Sequence, residues 1–470
     1  MKFFKILIWW SLMCVNFACM RDTFTTTVLP SEQGKSLQFG YIQDIKACPD
    51  GGYALLGSGK YENNQKVFLM KFNQKGELNW TKLYDGEFEE VAVFKKDFYY
   101  GYGVNHLSVD EANNILFPMV TEKFRNGKFI NRYLTLLKTS PTGKIIWAKE
   151  MGGEDDRITV YDIQYLNNKS YMITGQSMIN GATPKIFIIH ISNGGEIIWG
   201  KTYHHLYPPS HFDNHGLSIV QLDNGELILL ARITEEIGWS GVPIRGLKTL
   251  YFRIDAQGVP LQVERFSLNK REVEPPHTLL KISNNKLLMV GQDYLIQTDN
   301  TFSYQNIYQL TSAKVQIEYA RRVNEKKWVG SGYLISREVG NGGIILQADT
   351  NTQQIEWVYK EENDYSEGAY FGIFHQQKYI VGTKYVFPKS SGGRYILPAL
   401  FSFKNISKSK KSKMKKIPTK EISFQKVDSL HTHTVIPIDR IQVEDIPLSF
   451  EDIDIESYTI DLKTTNTCMN

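Results

Sequence analysis

Cysteine is scarce in this chain, with four among 470 residues. That is too few to staple a fold of this size, which excludes a disulfide scaffold. A strong charge of either sign is also missing: the formal net charge is +4, or +2 once Lys2 and Lys5 are set aside with the leader described below. A nucleic-acid-binding domain would carry clustered Lys and Arg and a strongly basic balance, so that class is set aside. The composition is 42% hydrophobic, 13% aromatic and 22% charged, which excludes a disordered chain. Long apolar runs are absent as well. The longest candidate, Ile6–Ala18, is too short to span a bilayer comfortably as a mature anchor.

What the N-terminus does have is two lysines, that apolar stretch, and a small residue directly before Cys19. This pattern predicts a secretory signal peptide over residues 1–18. Ala18–Cys19 resembles a bacterial lipoprotein processing site, although Asn16 stands where that family has a leucine-like residue. The resemblance implies lipidation of Cys19, a tether over 19–40 and an outer-membrane lipoprotein facing the periplasm or the cell surface, with plain secretion as the alternative. Cys14 would leave with the leader. Cys48 and Cys468 then remain as a candidate disulfide in an oxidising envelope, against the alternative of two buried thiols.

The main signal is repetition. FNQKGELNW, KTSPTGKIIW and ISNGGEIIW share one phrase, with Gly76, Gly143 and Gly195 each four residues before Trp80, Trp147 and Trp199. Seven turn-plus-strand segments end at Gly57, Val120, Gly175, Ala231, Gly291, Gly332 and Gly382, in steps of 41 to 63 residues. Periods of about 40 to 50 residues indicate propellers or solenoids. Second apolar runs such as VFLMKF, IFIIHI and LYFRI are nearly continuous, as strands are when both faces are buried. The expectation is an all-β, seven-bladed β-propeller over 41–407, with six or eight blades as alternatives.

In that fold the glycine serves a hairpin needing positive φ, and the tryptophan lies on the outer strand covering the seam to the next blade. The copies are uneven. Gln262 replaces tryptophan in the fourth, the fifth is degenerate around Asp299, and Gln353 replaces glycine before Trp357 in the sixth. The seventh has no outer strand of its own, so a terminal segment is expected to close the ring and remove a free edge. Phe24–Leu29 and Ile422–Val427 are the candidates, and the second is preferred. Residues 408–420 form a lysine-rich linker. Beyond it, 421–470 alternates apolar and polar residues, predicting a small β-rich C-terminal appendage.

The DGGY turn, the glycine-ended strand and the G-x-x-x-W hairpin together resemble uncharacterised propeller lipoproteins of Bacteroidota-type bacteria. The T-G-x-x-x-W of Thr142, Gly143 and Trp147 is similar to the blade motif of quinoprotein propellers, but the acidic residue of that motif is missing. Sialidase-type Asp boxes place tryptophan three residues after glycine, not four.

For chemistry, the densest segment is YHHLYPPSHFDNHG, with His204, His205, His211, Asp213 and His215. These are suitable ligands for a zinc-like ion, although their spacing matches no metal signature and ordinary loop histidines are the preferred reading. Acidic clusters at Glu87–Glu90, Glu154–Asp156 and Glu361–Asp364 recur after outer-strand positions. Trp239, in the inserted loop Gly238–Arg245, and Tyr99–Tyr100 are candidate aromatic platforms. The reading is of a non-catalytic envelope lipoprotein without a cofactor. Its propeller face would bind a protein partner, as an accessory subunit of an outer-membrane transport or secretion assembly, or else a glycan. The alternative is a polysaccharide-acting or quinoprotein-like enzyme.

Overall fold

A computed structural model describes residues 23–29, 37–61, 64–85, 90–92, 107–125, 128–151, 157–178, 184–205, 214–237, 244–268, 276–283, 285–302, 304–311, 315–334, 342–361, 371–375, 378–388 and 394–403. It also describes seven short strands between 414 and 467. All regular structure among these residues is β, in seven antiparallel sheets arranged as a β-propeller. We number the sheets 1 to 7 in chain order.

Sheet 1 shows the unit: Leu37–Ala47, Tyr53–Tyr61, Asn64–Phe72 and Leu78–Asp85, each paired with the next. Sheets 3, 4, 5 and 6 repeat it from Arg157, His215, Thr278 and Val315. In sheet 2 the innermost position is shared by Glu90–Ala92 and Ser108–Val109, which both pair with Ile115–Arg125.

The middle strands are buried on both faces. Tyr53–Ser58 and Lys66–Phe72 contain no exposed residue, which accounts for their unbroken apolar sequence. The core is divided among the seams: one cluster joins Leu56 and Leu69 of sheet 1 to Phe117 and Leu137 of sheet 2, and similar clusters join sheets 2 to 3, 3 to 4, 4 to 5 and 5 to 6. A ring of sheets, each packed on two neighbours, is how a propeller buries apolar surface.

Sheet 7 closes the ring and corrects the preferred closing strand. Its outer member is Thr23–Leu29, lying between Arg394–Phe403 and Lys463–Thr467. Phe424–Lys426, from the favoured segment, pairs instead with Tyr308–Leu310 in sheet 5. Chain geometry gives the reason: sheet 7 neighbours sheet 1, so the segment just before sheet 1 is already within reach of it.

The tail is β-rich, yet its described strands do not pair with one another. In chain order they add to the outer strands of sheets 6, 5, 4, 3, 2, 1 and 7. It is therefore a belt that runs round the ring against the direction of the repeats. As the outermost ladder members these strands need only one apolar face, which matches their alternating sequence.

Candidate functional site

The hairpin between the third and fourth strands is one turn used repeatedly. In sheet 1, Asn73 Oδ1 accepts from the backbone N–H groups of Lys75 and Glu77, and Gly76 lies at φ 79°. Ser192 and Asp255 do the same before Gly195 and Gly258. Where glycine is lost, the conformation remains: Phe302 takes φ 66° in sheet 5 and Gln353 takes φ 57° in sheet 6.

Trp80, Trp147 and Trp199 each reach the hairpin of the following sheet. Trp80 Nε1 donates to Pro141 O at 3.0 Å, Trp147 Nε1 to Asn193 O at 3.1 Å, and Trp199 Nε1 to Ala256 O at 3.0 Å. Gln262, which replaces tryptophan in sheet 4, keeps the bond through Nε2 to Thr301 O at 3.2 Å. The motif is thus an interlock between repeats.

Opposite each of these outer-strand residues on the third strand stands a polar side chain, buried at Lys71, Lys138 and His190 and half-buried at Arg253, tied to the first hairpin of its own sheet. Lys71 pairs with Asp50 at 2.8 Å, Lys138 with Asp110 at 3.1 Å, His190 Nε2 with Ser170 Oγ at 2.6 Å, and Arg253 with Glu226 at 2.6 and 3.0 Å. Hydrogen bonds from Arg253 hold the Glu226 carboxyl below its usual range. Sequence reading missed this set because its members differ in kind and share only a register.

The polar groups facing the ring axis come from the innermost strands. Asp44 is fully buried. Its Oδ1 accepts from Ile45 N–H at 2.7 Å and Arg321 Nη2 at 2.8 Å, and its Oδ2 accepts from Leu107 N–H of sheet 2 at 2.8 Å. Asp162, equally buried, accepts from Gln164, Ser218 Oγ and Ile219 N–H. Ser218 Oγ in turn accepts from Leu279 N–H of sheet 5. Burial raises the Asp162 carboxyl, against the opposing effect of Ile219 N–H and Lys46. Lys46 is lowered to about 8, first by burial and then by Arg321, while Asp44 and Asp162 pull it the other way. The echo of Asp44–Ile45 in Asp162–Ile163 was the available sequence signal.

The sequence-predicted histidines do not form a cluster among the described residues. His204 and His205 end the outer strand of sheet 3, paired in backbone with Gln442 and Ile441. His215 opens sheet 4, buried, with Nδ1 2.6 Å from Tyr161 Oη and the rings edge to face. His211 and Asp213 lie outside the described residues, as do Cys19, Cys468, Tyr99–Tyr100, Trp239, Glu87–Glu89, 154–156, 362–364 and 408–413. Among the described residues no group of three or more His, Cys, Asp or Glu is placed to hold a metal ion. Cys48 is a buried free thiol, raised to about 11 by burial.

Chemically, the axis offers one amine lowered to about 8 and two carboxylates whose oxygens already accept backbone and side-chain donors. That arrangement ties blades together and can present hydrogen bonds to a ligand. No protein-family model matches the chain, and no curated protein matches it. Among solved structures, a protein of unknown function from Dyadobacter fermentans is similar over 80% of this chain and 98% of its own, at 10% identity and a TM-score of 0.37. Polysaccharide lyase Uly1 is similar over 82% and 98%, at 9% identity and 0.36. A GH43_12 retrieved from a capybara gut metagenome is similar over 92% and 94%, at 9% identity and 0.25. At these scores none of the three likenesses bears on the activity of this chain.

Proposed function

We propose that this chain is a non-catalytic cell-envelope lipoprotein of the Bacteroidota propeller type, anchored through Cys19, whose propeller binds another envelope protein. The supporting observation is the engagement of the axial carboxylates. Asp44 and Asp162 each accept a backbone N–H from another sheet, which ties them to holding blades in place rather than to proton transfer. A hydrolase would instead present a carboxyl pair free to meet substrate. Affinity purification of the full chain from envelope membranes is expected to bring down a stoichiometric partner. Recovery of a clean monomer would count against the reading, and unchanged membrane retention of Cys19→Ala would remove the lipid.

Lys46 favours a second reading, a polysaccharide-acting enzyme. An amine lowered to about 8 on the ring axis is the kind of perturbed group found at catalytic sites. Release of new sugar ends from a polysaccharide by the wild-type chain, lost in Lys46→Met with the fold intact, would support that reading over the first.

A further inference from the structure

Sheets 1 to 6 share an irregularity at the second residue of the outer strand, whereas the outer strand of sheet 7, Thr23–Leu29, pairs without one. In sheet 2 the register passes from Ile145↔Thr139 to Trp147↔Lys138, skipping Ile146. In sheets 3 and 4 it skips Ile198 and Leu261, and in sheets 1, 5 and 6 it skips Asn79, Gln305 and Glu356. A bulged residue has no partner across the ladder, so burial does not dictate its chemistry. On sheets 1, 5 and 6 it is polar, whereas on the consecutive sheets 2, 3 and 4 it is apolar. Ile146 is 49% exposed, Ile198 52% and Leu261 43%, with Val259 beside them at 48%; these are the exposed large hydrophobics among the described residues. Scattered exposed apolar residues are ordinary, but three at one repeated position on one arc are not scattered.

Strand direction places this ridge. Ile146, Ile198 and Leu261 follow directly on their glycine hairpins, so they lie at the rim of the hairpin face. The tail strands pair farther along, at Lys149–Glu150, Lys201–His205 and Glu264–Leu268, and leave those three positions outside their ladders. Thr23 is paired with Phe403, and Phe403 with Tyr379, next to the first hairpin of sheet 7. The outer strand of sheet 7 therefore also begins on the hairpin face. Cys19 is four residues before Thr23, a span of at most about 14 Å. Sheets 3 and 4 stand across the ring from sheet 7.

We propose that the hairpin face rests on the lipid bilayer, tethered by acylated Cys19 at sheet 7 and touching the membrane again through Ile146, Ile198, Val259 and Leu261 across the ring. This rests on the lipoprotein reading above. The acyl chains supply retention, and the ridge fixes orientation, as a second apolar signal does for an anchored protein. The opposite face, where Tyr61–Asn64 and the ends of the outer strands lie, then points away from the membrane.

The test uses full-length protein in a Cys468→Ser background, carrying Ile198→Cys or Ile146→Cys, with Lys185→Cys on the opposite face as reference. Each is labelled with a thiol fluorophore and reconstituted into phospholipid vesicles whose acyl chains carry nitroxide quenchers. The intact mass reports acylation. The proposal expects the labels at 198 and 146 to lose most of their emission while the label at 185 keeps its own. Acylated protein with equal quenching at all three positions, or stronger quenching at 185, overturns it while leaving the lipoprotein reading standing. A mass without acyl chains overturns both. A photo-cross-linker at Ile198 that captures protein in membranes, rather than lipid, overturns it in favour of a protein-docking rim.

Discussion

Gly258, in sheet 4, lies under the indole of Trp199 in sheet 3: a β-carbon on Gly258 would sit 2.9 Å from the ring and 2.8 Å from Lys201 Cδ, and its φ is +83°. Tyr203 Oη donates to Gly258 O at 2.8 Å from the same neighbouring sheet. The glycine is therefore required twice, once by its turn and once by its neighbour.

Gly225 separates the two requirements. Its φ is +85°, but nothing lies within 4 Å of the space a β-carbon would fill. Gly225→Ala is expected to cost about 1 kcal/mol, the strain of a left-handed conformation alone. Gly258→Ala is expected to cost about 2–4 kcal/mol, because overpacking adds to that strain. Denaturant unfolding of the two variants side by side measures the difference, and equal losses would mean that the indole yields without cost.

Asp44 and Arg321 join sheets 1 and 6 past the closing sheet. Asp44→Ala removes three accepted hydrogen bonds from a fully buried site and should destabilise by about 3–5 kcal/mol. Arg321→Met alone leaves the buried carboxylate with its two backbone donors and should cost less. The double variant should lose less than the sum of the two, as groups sharing one network do, and thermal unfolding of all three checks this.

His277 predicts a pH dependence. It is fully buried, and burial lowers it to about 4, against an opposing hydrogen bond with the Glu318 backbone. The unfolded chain takes up this proton near pH 6.5, while the folded chain resists it until about pH 4. The stability contributed by neutral His277 is therefore complete above pH 6.5 and is lost as the pH falls towards 4. Over that window His277→Gln should show a shallower decline in unfolding free energy than the wild type. Parallel slopes in the two proteins would place the acid sensitivity elsewhere.

A chain ending after Phe403 would expose the outer edges of the sheets, since every tail strand pairs with one of them. Unpaired edges template association. This truncation is expected to self-associate, which light scattering and size-exclusion chromatography would report.

The repeat was legible because each Gly-to-Trp phrase is local in sequence, and so was the double burial of the middle strands, which appears as unbroken apolar runs. What the tryptophans meet was not legible in detail, because the contact from Trp147 to Asn193 spans two repeats. The belt was hidden for a similar reason. Alternation marks 421–470 as strands, but partner choice depends on which outer edges are open. The axial pair Asp44 and Arg321 lies 277 residues apart, and neither residue belongs to a motif. The loop histidines drew attention by density alone, whereas His215 is held against Tyr161.

The course of the tail has a mechanical consequence. The repeats go round the ring once and the tail goes back round it in the opposite sense, so the molecule is hooped by its own end. Traction on the C-terminus would load Lys463–Thr467 first and peel the hoop in the order of sheets 7, 1, 2, 3, 4, 5 and 6, one short ladder at a time. The innermost strands would be the last to feel it.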